Sequence, residues 1–194
     1  MRFCWIAAIV VVLVGCGRDE PVYQGKTLSG VLKQLKDQNP SARKEAIKSI
    51  GMMGGSAKSA VPSLVNALKD EDAGVRTEAC EALGRIGAES KPAIPGLVEG
   101  LKDPNNGVRS SAALALKDID PSNPSIVDPL IDALGDSDAN VRKSVIAALR
   151  RVGLENKTKV IPALKQTLNK DADTEVRSMA QSAIRDLDPH AANP

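Results

Sequence analysis

The sequence predicts an all-α solenoid of about five helix pairs, on three observations. The first is a period. Arginines recur at Arg43, Arg76, Arg109, Arg142 and Arg177, at intervals of 33, 33, 33 and 35 residues, and self-similarity at such a period marks a stacked-repeat architecture. The second is what travels with the arginine. An aspartate stands six residues before each one (Asp37, Asp70, Asp103, Asp136, Asp171) and an Asn or Asp four before it (Asn39, Asp72, Asn105, Asp138, Asp173). The third is the spacing of apolar residues inside each unit. Val61, Leu64, Val65 and Leu68 fall three and four apart, the period of a helix rather than a strand.

From the amino terminus, the first element is a targeting segment. Arg2 is followed by an unbroken apolar run from Phe3 to Val14, and polarity changes at once after Cys16 to Gly17-Arg18-Asp19-Glu20. A run of that length suits the core of a secretory signal and falls short of the ~20 residues that span a bilayer. The tetrapeptide Leu13-Val14-Gly15-Cys16 resembles the lipobox of bacterial lipoproteins. The resemblance implies that residues 1–15 are cleaved as a signal peptide and that Cys16 is lipidated. More than one acyl chain then gives stable anchoring. Gly17 rather than an aspartate follows the cysteine, which implies the outer membrane, or the extracytoplasmic side of the inner one. The other readings of these residues are an ordinary secretory signal with an incidental cysteine, or an uncleaved anchor. Residues 16–26 are then a lipidated tether, and Cys80 is the remaining thiol.

The repeat domain is expected over 27–189, with units at about 27–58, 59–91, 92–124, 125–157 and 158–189, and a tail at 190–194. The first helix of a unit opens near a Val/Ile-Pro step, as at Val61-Pro62, Ile94-Pro95 and Ile161-Pro162. The second starts at the Asn or Asp four before the arginine, a strong N-cap type. Pro40 directly after Asn39 fits the first helical position. Val75, Ala79, Leu83 and Ile86 form the stripe that this helix buries. Gly54, Gly87 and Gly153 stand where a C-terminal cap is expected, and Asp120-Pro121 and Asp188-Pro189 stop the other two helices. Neither helix of a pair buries its stripe alone, so the units stack. In the last unit Gln181 replaces the Ile47, Cys80, Ala113 and Ile146 of the others, the polar outer face of a terminal cap.

The segments "LKDEDAGVRTEACEALGRIG" and "LKDPNNGVRSSAALALKDID" resemble HEAT repeats, in the short bacterial form named after phycobilisome lyases. That resemblance implies a right-handed α-solenoid of the armadillo type over nearly the whole mature chain. It also implies a structural ladder in which Asp37, Arg43, Asp70, Arg76, Asp103, Arg109, Asp136, Arg142, Asp171 and Arg177 link helices within and between units. The alternative is a row of anion-binding arginines, which the accompanying aspartates disfavour.

Composition narrows the function. Lys plus Arg is 26 and Asp plus Glu is 24, which lacks the basic excess of a nucleic-acid binder. The aromatics are Phe3, Trp5 and Tyr23, and the histidine is His190 in the tail. No His-Glu step of the kind that holds iron in the related deoxyhypusine hydroxylases occurs. No base accompanies a Ser or Cys nucleophile in any expected helix, and Cys80 reads as a small core hydrophobe. Neither a cofactor, a metal nor catalytic residues are expected. What remains is the exposed face of the second helices, expected on the concave side and sampled one, five and eight residues after each arginine. The candidate binding residues are Lys44, Lys48, Glu81, Leu114, Lys117, Arg150 and Arg185 on these rows, with Arg85 and Arg151 flanking them and Gly51 and Gly84 in the same rows. The plain alternative is an ordinary solvated surface. The expected function is a non-catalytic scaffold for an unidentified protein or peptide, anchored by lipid. The alternative is an accessory or lyase-like subunit acting on a chromophore-bearing protein.

Overall fold

A computed structural model describes residues 20–189. Among them the chain forms a short antiparallel hairpin of β1 (Val22–Tyr23) and β2 (Lys26–Thr27), then ten α-helices in five pairs. The pairs are α1 (Leu28–Gln34) with α2 (Pro40–Met52), α3 (Val61–Ala67) with α4 (Ala73–Ile86), and α5 (Ile94–Gly100) with α6 (Asn106–Ile119). They continue with α7 (Val127–Asp132) and α8 (Ala139–Val152), and end with α9 (Lys157–Lys170) and α10 (Thr174–Leu187). The signal segment, Cys16 and the tail 190–194 lie outside the described residues.

Every second helix begins where the sequence places it. The side chains of Asn39, Asp72, Asn105, Asp138 and Asp173 each accept a backbone N–H from the first turn, satisfying donors that a helix start otherwise leaves open. The apolar stripe is buried as expected: Val75, Ala79, Leu83 and Ile86 on α4, and Val108, Ala112, Leu116 and Ile119 on α6. They join one continuous core that runs from Leu28 to Leu187. Gln181 is exposed, whereas Ile47, Cys80, Ala113 and Ile146 at the same register are buried. The second helices pack side by side through the whole array, while the first helices of neighbouring units meet mainly through the connecting turns. The second helices therefore form the continuous layer of the array.

Three expectations are corrected. Residues 22–27, partly assigned to a tether, fold back as the hairpin, with Leu28 N–H donating to the Pro21 carbonyl at 3.0 Å and Ser29 N–H to Glu20 Oε2 at 3.3 Å. Gly54 and Gly87 do adopt the left-handed backbone (φ 59° and 75°), but Gly153 does not, at φ −68°. Its glycine serves packing. A Cβ there would lie 2.7 Å from the Leu149 carbonyl and 2.8 Å from Leu187 Cδ1. Lastly, α9 starts at Lys157, ahead of the Ile161-Pro162 step, and carries Pro162 in its interior. In the second and third units the stretch before this step is a 3-10 segment (Gly54–Ala60, Gly87–Ala93), whereas here it is continuous α-helix.

Candidate functional site

The arginine ladder is the most regular polar feature, and it spans units. Arg43 Nε and Nη2 donate to Asp70 Oδ2 and Oδ1 at 2.8 and 2.7 Å, across 27 residues. Arg76 repeats this on Asp103 at 2.8 and 2.9 Å, Arg109 on Asp136 at 2.6 and 2.9 Å, and Arg142 on Asp171 at 2.7 and 2.8 Å. The aspartate six residues before each arginine contributes its backbone instead. Arg76 Nη1, for example, donates to the Asp70 and Glu71 carbonyls at 2.7 and 3.1 Å. Each guanidinium thus closes its own turn with one nitrogen and grips the next unit with its bidentate edge. At the ends the pattern stops. The Asp37 carboxylate accepts only the Asn39 N–H, and the Arg177 guanidinium donates only to the Asp171 and Ala172 carbonyls, among the described residues.

The electrostatics follow from this geometry. Burial alone would raise the Asp70, Asp103 and Asp136 carboxyls. Hydrogen bonds from the arginine and from a backbone N–H two residues on outweigh it and hold them below the ordinary range. For Asp171 the Arg142 hydrogen bond is the leading cause of the same shift. The arginines are raised in turn, first by those bonds. Every guanidinium that bonds a ladder carboxylate is committed to it, which leaves none of these four for a free anion.

The candidate binding face divides differently from its sequence reading. Lys44, Lys48, Arg85, Leu114, Arg150, Arg151 and Arg185 are exposed, while Glu81 and Lys117 are half-buried. Gly51 is buried and Gly84 half-buried, both against a neighbouring helix. A Cβ at Gly51 would lie 3.0 Å from Ala82 Cα, and one at Gly84 3.2 Å from Ala115 Cα, so this row is the seam between adjacent second helices. Arg85 is held by Glu78 and Glu81 at 3.1 and 2.8 Å. Lys117 pairs with Asp118 at 2.7 Å and Arg150 with Asp186. Lys44, Lys48, Arg151 and Arg185 have no ion-pair partner among the described residues.

Catalytic and metal chemistry finds little to work with in the described residues. Cys80 is fully buried, and burial pushes its thiol up to about 12. No group of three or more His, Cys, Asp and Glu side chains among them is placed to hold a metal ion, and no described helix is long and apolar enough to cross a membrane. A crevice of about 460 Å³ lies between the fourth and fifth units beside Arg142 and Asp171, and the rung itself forms part of its wall. A smaller hollow of about 260 Å³ opens at the far end of the second helices, lined by Pro121, Ser122, Arg151, Leu154 and Glu155.

A profile of the HEAT repeats matches residues 28–117 and 94–185. No curated protein sequence matches the chain. Among solved structures, the chain is similar to the CpcE–CpcF complex of phycocyanin lyase from Nostoc sp. PCC7120, at 24% identity and a TM-score of 0.71, over 90% of this chain and 71% of that one. It is also similar to a designed armadillo repeat protein solved with the peptide (KR)4, at 24% identity and a TM-score of 0.66, over 83% and 82% of the two chains.

Proposed function

Because the chain belongs to the HEAT repeat family, we propose that it is a non-catalytic scaffold that docks a protein or peptide on the face of its second helices and is lipid-anchored through Cys16 to a bacterial membrane. One observation carries the docking reading. The residues that recur in every unit are spent on caps, core and ladder, so the residues that differ between units are the ones left on the open face. A repeat array presents such a face as one extended surface. The buried Cys80 thiol and the aspartates tied into rungs support a non-catalytic role. The designed armadillo protein was solved with a basic peptide, whereas the cations of this face suit a partner of modest acidity. The lyase-subunit alternative rests on likeness of fold alone.

Lipid anchoring rests on the Leu13-Val14-Gly15-Cys16 step and the apolar run before it. A Cys16→Ala variant is expected to leave the membrane fraction. Since Trp5 is the only tryptophan, the wild-type mature protein should lack tryptophan emission. Retention of the variant on membranes would sink the anchor. Crosslinking in intact cells tests the docking. Charge reversal at Lys117, Arg150 and Arg185 is expected to lose partners that the wild type captures, and unchanged capture would refute the assigned face.

A further inference from the structure

We infer that the first unit is a membrane-contact end. The hairpin of Val22, Tyr23 and Lys26, together with Lys33 on α1, rests on an anionic bilayer and stands the solenoid end-on, with the later units projecting into solution. This rests on the lipid-anchor reading above and adds to it a contact surface and an orientation.

The first argument is where the charge lies. Residues 20–58 carry seven Lys and Arg against three Asp and Glu. Residues 59–124 carry seven against ten, and residues 125–189 ten against ten. The positive excess is thus gathered in the first unit, and the next two units are acidic. An anionic surface attracts such an array at its first unit and repels it at the following ones.

The second argument is that the fold leaves this charge unneutralised. Lys26, Lys33, Lys36, Lys44, Lys48 and Lys58 are all exposed, and none has an ion-pair partner among the described residues. Later units treat the same positions differently. Lys91 and Lys143 pair with Asp120 and Glu175 of the following unit, at 3.0 and 2.8 Å. Their counterparts in the first unit are Lys58 and Lys44, and the positions equivalent to Asp120 and Glu175 are Gly87 and Gly74. A Cβ at Gly74 would lie 3.5 Å from Lys44 Cδ, so the register is kept while the acid is missing.

The third argument is geometry. Leu32, Leu35 and Lys36 line a crevice toward the second unit, and Asn66 lines it from the other side, facing back. Lys33 precedes Arg43 by the same interval as Asn66 precedes Arg76. With no unit ahead of it, Lys33 therefore points out of the open end. The hairpin lies at that end too. Ser49 holds the register of Ala82, which packs against the preceding second helix. No helix precedes α2, yet Ser49 is buried, and the hairpin packed on α2 takes that place. The hairpin carries Lys26, the exposed Val22, and Tyr23, the one aromatic among the described residues. These are residue types that settle at a membrane–water interface. Residue 16 is four residue steps from Glu20, a reach of about 14 Å at most. A lipid there would keep this end, and not the far one, at the headgroups.

The test reconstitutes the mature lipidated protein in vesicles and reads its orientation. Cys80 is fully buried, so a cysteine introduced at the exposed Gln181 takes a thiol-reactive donor dye, and headgroup-labelled lipid is the acceptor. Gln181 lies on α10, four unit spacings from α2, or about 40 Å. In vesicles containing phosphatidylglycerol, energy transfer from this site is expected to be low. It should rise at least about twofold in phosphatidylcholine, at ~1 M salt, or in K26E/K33E, because the solenoid then tumbles on its tether. K165E/K170E makes the same charge change at the far end, on exposed lysines equally without ion pairs among the described residues, and should leave transfer low. Circular dichroism confirms that each variant is folded. Low transfer that ignores salt, lipid charge and K26E/K33E would overturn the contact and leave the anchor reading standing. So would high transfer from the wild type in anionic vesicles. An equal rise in K165E/K170E would overturn the location. A protein that fails to float with the vesicles would overturn the anchor and the contact together.

Discussion

Replacing Asp103 with alanine tests whether the ladder holds the solenoid together. The substitution removes the acceptor of Arg76 Nε and Nη2, at 2.8 and 2.9 Å, and of the Asn105 N–H at 2.8 Å. Arg76 Nη1 stays bound to the Asp70 and Glu71 carbonyls, so the guanidinium remains in place with two donors facing the gap. The two side chains are only 13% and 11% accessible, so water repairs this poorly. Breaking one side of a largely buried, charge-assisted pair costs about 3 kcal/mol. The natural control is Asp37→Ala. The Asp37 carboxylate accepts the equivalent backbone N–H, from Asn39 at 2.8 Å, and has no arginine partner among the described residues. Both variants lose the same backbone bond, and only D103A loses a rung. Urea unfolding followed by helical circular dichroism should therefore show a much larger loss of midpoint for D103A. A cycle of R76M and D103N should return a coupling of about 2 kcal/mol. Equal midpoints for D37A and D103A would refute the structural reading of the ladder.

Two further outcomes follow from the same coordinates. Gly153→Ala forces a Cβ against the Leu149 carbonyl, Leu187 and Val160, an overpacking that costs about 1–3 kcal/mol. Gly135→Ala meets nothing within 4 Å and should be neutral or stabilising by less than ~1 kcal/mol; equal thermal midpoints for the two would contradict the packing role. The ladder also sets the acid limb of stability. The carboxyls of Asp70, Asp103, Asp136 and Asp171 are depressed in the folded protein, while unfolded aspartate titrates near ~3.9. Their contribution is present above that value and is lost as pH falls through the folded ones. Urea midpoints should drop steeply below about pH 4 in the wild type and less steeply in D103A, and identical pH profiles would argue against this origin.

What was legible in the sequence is what a period can carry. Caps at Asn39, Asp72, Asn105, Asp138 and Asp173, the buried stripe, and the polar replacement at Gln181 all depend on a residue's angle around its own helix. Spacing reports that angle directly. It does not report what lies across the gap to the next helix, and the misreadings gather there. The ladder aspartate nearest Arg76 in sequence is Asp70, yet the carboxylate it holds is that of Asp103. Within the turn the backbone carbonyl, not the carboxylate, reaches the guanidinium. Gly54, Gly87 and Gly153 share one register, but the first two turn the chain and the third makes room for Leu187 and Val160. Gly51 and Gly84 looked like open-face positions because their angle matches that of Lys117, Arg150 and Arg185. Only the distance to Ala82 and Ala115 shows that glycine is there for contact. The same register holds Lys117, half-buried beside Asp118, and Arg150, paired with Asp186 of the next second helix, so the angle around the helix is shared while the packing is set by what stands opposite.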